Sequence, residues 1–210
     1  MEFILKNIYQ NYYKVLGGVK MSTEMAVNEK NSVQSGKETV RDSKVKYITM
    51  TGIMAALIAL MTAYIGHIPV GVNGGYIHFG DSLIYLAAVL LPTPYALAAA
   101  AIGGGLADLL TAPMWTVATI IIKMLITIPF TNKSKKIVTP RNVIATVIAY
   151  FISGLSYFLA EYILFGTWSV LLVSMSQSLI QSGGSAIFFV VFGLALDKTH
   201  VKTRFFERNI

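Results

Sequence analysis

Four ionisable residues interrupt otherwise apolar stretches of this chain: Asp81, Asp108, Lys123 and Glu161. Lys123 is the most telling, because it stands in the middle of the apolar run 119–128. A cation at bilayer depth costs about 2.5–3.5 kcal/mol on insertion scales, so it must face the protein interior or a wet cavity and find a partner. Asp81 and Asp108 are candidate charge partners. Tyr157 and Glu161 are four residues apart, as are Gln177 and Gln181, and on a helix each pair shares one face. Amides and a phenol donate and accept hydrogen bonds without fixed charge, which suits a small heterocycle; glutamine in a span also bonds neighbouring helices. The segment VGVNGGYIHFGD, 70–81, adds Asn73, which can hydrogen-bond a planar ligand, and Tyr76, His78 and Phe79, which can stack on one. Its glycines, Gly71, Gly74 and Gly75, permit tight turns or close approach to a ligand. Asp81 opens the next apolar segment, where N-capping is its simplest role.

Other chemistry is absent. No GxxxxGK[ST], HExxH or GxSxG motif occurs, which leaves no ATP-hydrolysing loop, zinc-protease helix or esterase elbow. His67, His78 and His200 lack metal-ligand spacing, so neither a metal nor a cofactor is expected. With no cysteine there is no disulfide, thiolate site or thiol redox centre.

The elements that position these residues are membrane spans. The chain is 55% hydrophobic and 13% charged, against about 25% charged in soluble domains. Six apolar segments are expected as helices: 47–66, 80–92, 93–112, 113–130, 142–166 and 168–197. The second is short, and must begin within the preceding loop, lie inside the bundle, or cross a thinned region. The net charge of +7 does not mark a nucleic-acid binder. Sixteen of the 17 Lys and Arg residues fall in the tail up to Lys46, the stretch 133–141 and the tail after Asp197. Cationic flanks mark the cytoplasmic side, and the opposite connections, 67–79, 111–114 and 166–168, carry none. The fold class is therefore an all-α integral membrane protein of six helices with both termini cytoplasmic. Residues 1–46 form an N-terminal extension, 47–197 the membrane domain and 198–210 a basic tail. In the extension, Leu5, Ile8, Tyr9, Tyr12 and Leu16 have roughly helical spacing and suit an interfacial helix. The polar stretch 21–46 is expected to be disordered. Either Met1 or Met21 is a possible start.

With this topology, Asp108 and Glu161 lie roughly 6–8 Å below the outer surface and Lys123 about 15 Å below it. Side chains lean toward their helix N-terminus. The Lys123 ammonium thus rises toward Asp108 or Glu161, either as a salt bridge that fixes packing or as a substrate contact at the floor of an outward-facing cavity. Trp115 and Trp168 fall at the outer boundary, where an aromatic belt is expected. Ala55, Ala59 and Ala63 make a small-residue stripe on the first helix, which on its own favours close packing within the bundle.

This alanine stripe, GGYIHFGDSLIYLAAVLLP at 74–92, GGGLADLL at 103–110 and TVATIIIKMLI at 116–126 together resemble the substrate-binding S components of energy-coupling factor (ECF) vitamin transporters. The resemblance covers about 47–197. It implies a bacterial plasma-membrane subunit, not itself an enzyme, that works with a transmembrane coupling protein and two ATPases. It implies an outward-facing pocket formed by the loop after helix 1 and helices 4, 5 and 6, with Asn73, Tyr76, His78, Lys123, Tyr157, Glu161, Gln177 and Gln181 as candidate contacts. It further implies that Ala55, Ala59 and Ala63 meet the coupling protein, and that the subunit topples in the membrane to deliver its ligand. Riboflavin, a pyridoxine-like ring or a thiamine-precursor pyrimidine would be the cargo. The competing expectation is a self-contained secondary transporter using Asp108 or Glu161 as a proton relay; a scaffold whose polar groups serve only packing is the third.

Overall fold

The computed structural model describes residues 1–65, 68–69, 76–166 and 168–205. Proline and glycine set most helix ends. Helix α1 covers Glu2–Ala63. Two short strands follow, β1 at Ile68–Pro69 and β2 at Tyr76–Ile77. They pair antiparallel with Ile68 opposite Ile77 and Pro69 opposite Tyr76. Helix α2, Gly80–Leu90, ends where Leu91 turns extended ahead of Pro92, as a residue before proline must. Helix α3, Thr93–Thr111, starts with Pro94 in its first turn, where the missing N–H costs nothing. A 3-10 turn at Pro113–Trp115 leads into α4, Thr116–Thr127. Helix α5, Pro140–Phe165, is capped by the Thr139 hydroxyl, which accepts the Asn142 N–H at 3.2 Å. It closes on Gly166 at φ 70°, a left-handed conformation that favours glycine. Helices α6, Val170–Lys198, and α7, Val201–Phe205, complete the chain.

The chain divides into two compact units, Met1–Val45 and Lys46–Ile210. In the first, Leu5, Ile8, Tyr12 and Leu16, four of the apolar positions spaced for an interfacial helix, are exposed. The stretch 21–46, expected to be disordered, is helical here.

In the second unit the apolar helices surround α2. Ten of the 11 residues of α2 are buried, so this short segment lies inside the bundle. Around it, α3 packs on α4, α4 on α5 and α5 on α6, while α2 itself meets α3, α4 and α6. Tyr85 of α2 stacks on Phe130 at 4.8 Å and meets Phe189 of α6 edge-on at 6.1 Å. Among the described residues, four helical segments are long and apolar enough to cross a membrane: Ser43–Ala63, Thr93–Thr111, Pro140–Phe165 and Leu171–Lys198. Their outward faces carry large apolar side chains such as Leu57, Ile163, Leu172 and Ile187, all exposed. A surface of that kind is stable against lipid and not against water, so this is a multi-pass, all-α membrane protein.

Candidate ligand-binding site

The site is built outward from a closed charge cluster. Lys123 of α4 is 1% exposed, and its Nζ donates to Asp81 Oδ1 at 2.6 Å. Gln181 of α6 donates from Nε2 to the other carboxylate oxygen, Oδ2, at 2.7 Å. Three helices are thus tied to one carboxylate. Gly104 makes room for this arrangement: a Cβ there would lie 2.7 Å from Lys123 Cγ. The Lys123 ammonium also stands 5.6 Å from the Tyr157 ring centroid, within cation–π range.

Of the two candidate charge partners, Asp81 is the one ion-paired with Lys123, whereas the depth count points the ammonium toward Asp108 or Glu161. Asp81 does not cap α2; Phe79 occupies the N-cap position, with no side-chain bond. The reason is that α2 starts within the bundle, so its first turn lies at the depth of Lys123. The carboxylate there still benefits from the positive end of the helix dipole.

A second set of polar groups faces a cavity whose empty space, open solvent included, is about 560 Å³. Thr119 donates to Asp108, and Thr119 Oγ1 and Tyr157 Oη lie 3.1 Å apart. The single hydroxyl hydrogen of Thr119 is committed to the carboxylate, so the phenol donates to Thr119. On the facing helices, Ser174 donates to Glu161. His78 accepts the Gly80 N–H on Nδ1 at 3.0 Å, which leaves the ring hydrogen on Nε2. Trp115 closes the wall, 6.2 Å from Tyr157 in an edge-on contact. Its Nε1–H is buried without a hydrogen-bond partner among the described residues.

Of the expected contacts, the structure brings His78, Tyr157, Glu161, Gln177 and Gln181 to the cavity, together with Asp108. Lys123 and Asp81 do not line it; Asp81 stands one hydrogen bond behind Gln181, and Lys123 stands behind Asp81. Asn73, His67 and the loop glycines Gly71, Gly74 and Gly75 lie outside the described residues, as does the side chain of Tyr76. Trp115, Ser174 and Ser178 line the cavity and were not singled out as contacts. A signal for the serines was present: 174, 177, 178 and 181 follow the i, i+3, i+4, i+7 spacing of one helix face. Trp115 offered none, since a boundary tryptophan and a pocket tryptophan look alike in sequence; at 5% exposure it is a wall residue rather than a belt residue. Trp168 is exposed and stacks near Tyr162 at 4.7 Å.

The alanine stripe also differs from its expected role as an exposed partner surface. Ala55 and Ala63 are buried and Ala59 is half-buried. A Cβ at Gly103 would lie 2.7 Å from the Ala55 carbonyl, so at Ala55 the stripe is covered by α3 of the same chain.

Residues 42–198 match the family model described as ECF-type riboflavin transporter, S component. A curated relative, an uncharacterized protein in the gap 3' region of Pyrococcus woesei, is 36% identical over 63 residues. That alignment covers 30% of this chain and 43% of the relative, so the chain spans less than half the length of the curated protein it matches.

Proposed function

The chain belongs to the family of ECF-type riboflavin transporter S components, and we propose that its cavity captures riboflavin for uptake across the bacterial plasma membrane. The observation that carries this reading is the cavity itself, which lies in the family-matching region. It joins the aromatic walls of Trp115 and Tyr157 to converging polar groups on α3, α5 and α6. An isoalloxazine ring offers a broad π-face to such walls and hydrogen-bonding edges to such groups. Asp108, Glu161, Gln177 and Gln181 then orient the ligand, while the Lys123–Asp81 pair holds the helices that carry them.

In this reading the six apolar segments, including the shorter α2 and α4, form the bundle with both termini cytoplasmic. That orientation is supported by the clustering of Lys and Arg at 133–141 and in both tails. Energy for transport comes from two ATPases acting through a transmembrane coupling protein. Residues 1–46 and 198–210 are cytoplasmic extensions.

Mass spectrometry of small molecules released from the detergent-purified protein tests the proposal. Stoichiometric riboflavin is the expected result. A protein that releases no flavin, and that neither quenches added riboflavin fluorescence nor shifts its unfolding temperature with it, would overturn the reading. Uptake by the isolated chain in liposomes, driven by a pH gradient alone, would point instead to the proton-coupled carrier.

A further inference from the structure

The hydrogens on several cavity groups are already committed. Gln181 Nε2 faces Asp81 Oδ2 at 2.7 Å, and Lys123 holds the other oxygen at 2.6 Å. A carboxylate paired to an ammonium accepts and does not donate. The amide must therefore keep its NH2 toward Asp81, and the flipped rotamer would set a carbonyl against a carboxylate. Gln181 lines the cavity, and its Oε1 accepts from no group among the described residues. The same logic applies to Tyr157, whose hydroxyl donates to Thr119 because Thr119 donates to Asp108. Tyr157 is thereby left only acceptor capacity, and in Gln181 the amide cannot turn over, so Oε1 stays an acceptor while the second N–H remains available.

We propose that Gln181 is a selectivity-determining residue, locked by the buried Lys123–Asp81 pair as an acceptor, so that the bound molecule must bring an N–H or O–H donor to it. The inference rests on the riboflavin reading and deepens it. Riboflavin carries such donors in two places, the imide N–H of its ring and the hydroxyls of its ribityl chain. A flat molecule of similar size whose edge carries only acceptors would leave Gln181 Oε1 unpaired and be rejected. The charge pair thus acts on the ligand through Gln181 without touching it, as a positioning device.

The test is a fluorescence titration of the full-length protein in nanodiscs with riboflavin, 3-methylriboflavin (imide N–H removed) and lumiflavin (ribityl hydroxyls removed). The same titrations are run on Gln181→Met and on the neutral double variant Asp81→Asn/Lys123→Met. An unpaired acceptor in a closed site should weaken one of the two analogues at least ~30-fold in the wild type. That weakening should shrink to within about threefold in Gln181→Met, because the interaction lost is the one the variant has already removed. Loss with 3-methylriboflavin assigns the imide as donor, and loss with lumiflavin assigns a ribityl hydroxyl. In the double variant the amide is free to turn over, and the same penalty should fall. If both analogues bind the wild type within threefold of riboflavin, or if neither penalty changes in Gln181→Met, the inference is overturned while riboflavin binding stands. The first of these outcomes needs no variant to fold. A wild type that does not bind riboflavin at all overturns both readings.

Discussion

Two groups of buried polar residues share α6 yet are built on opposite principles. In the Lys123–Asp81–Gln181 cluster a full cation meets a full anion, and each carboxylate oxygen has its own donor. At the cavity wall, Asp108 and Glu161 each accept from a neutral hydroxyl, Thr119 and Ser174. The first arrangement satisfies its own charge and closes three helices around it. The carboxylates of the second border the cavity, and that of the first does not. Burial alone therefore does not separate the two sets in this bundle; what distinguishes them is which carboxylates face the cavity.

The contrast can be broken from the structural side first. Lys123→Met should give the largest effect, a loss of about 3–5 kcal/mol in unfolding free energy, because it strands a buried carboxylate. Adding Asp81→Asn should recover most of that loss. Equilibrium unfolding in nanodiscs measures both, and a Lys123→Met protein as stable as wild type would remove the pair from the fold's support. Gly104→Ala should cost about 1–3 kcal/mol by crowding the Lys123 stem; an unchanged stability would mean the stem is free to move aside. On the cavity side the effects on folding should be smaller and those on binding should dominate. Tyr157→Phe removes the donor to Thr119 while keeping the ring, and should cost about 1 kcal/mol. Glu161→Gln keeps a group able to accept from Ser174, so its unfolding free energy should stay within about 1 kcal/mol of wild type, whereas riboflavin affinity should change. If Glu161→Gln destabilised the bundle as severely as Lys123→Met, the distinction between the two sets would fail.

Particular residues show how much of this was legible. That Lys123 needed a partner followed from the cost of a cation in an apolar run, and the pairing of Tyr157 with Glu161 on one face followed from helical spacing. Helix ends were readable at Pro92, Pro113 and Gly166, because proline and glycine act locally on the backbone. Which of the candidate partners, Asp81 or Asp108, pairs with Lys123 was not readable from depth. Depth counted from turns presumes that each segment crosses the bilayer, whereas α2 starts inside the bundle and raises Asp81 to meet the ammonium. Trp115 was misread for a related reason: its rotation about the helix axis, and not its position along the chain, decides between lipid and cavity. The alanine stripe was visible, but whether its face at Ala55 met another chain or α3 depended on Gly103, 48 residues away in the sequence.

The sequence by itself determined the solvent of this protein, its helical segments, and the requirement that four charged side chains be compensated within the bundle. Those are consequences of transfer free energy and of local backbone sterics, which act residue by residue. Only the tertiary structure decided which charges neutralise each other and which border the cavity. Pairing depends on the axial offset and rotation of one helix against another, and these are set by packing summed over the whole core.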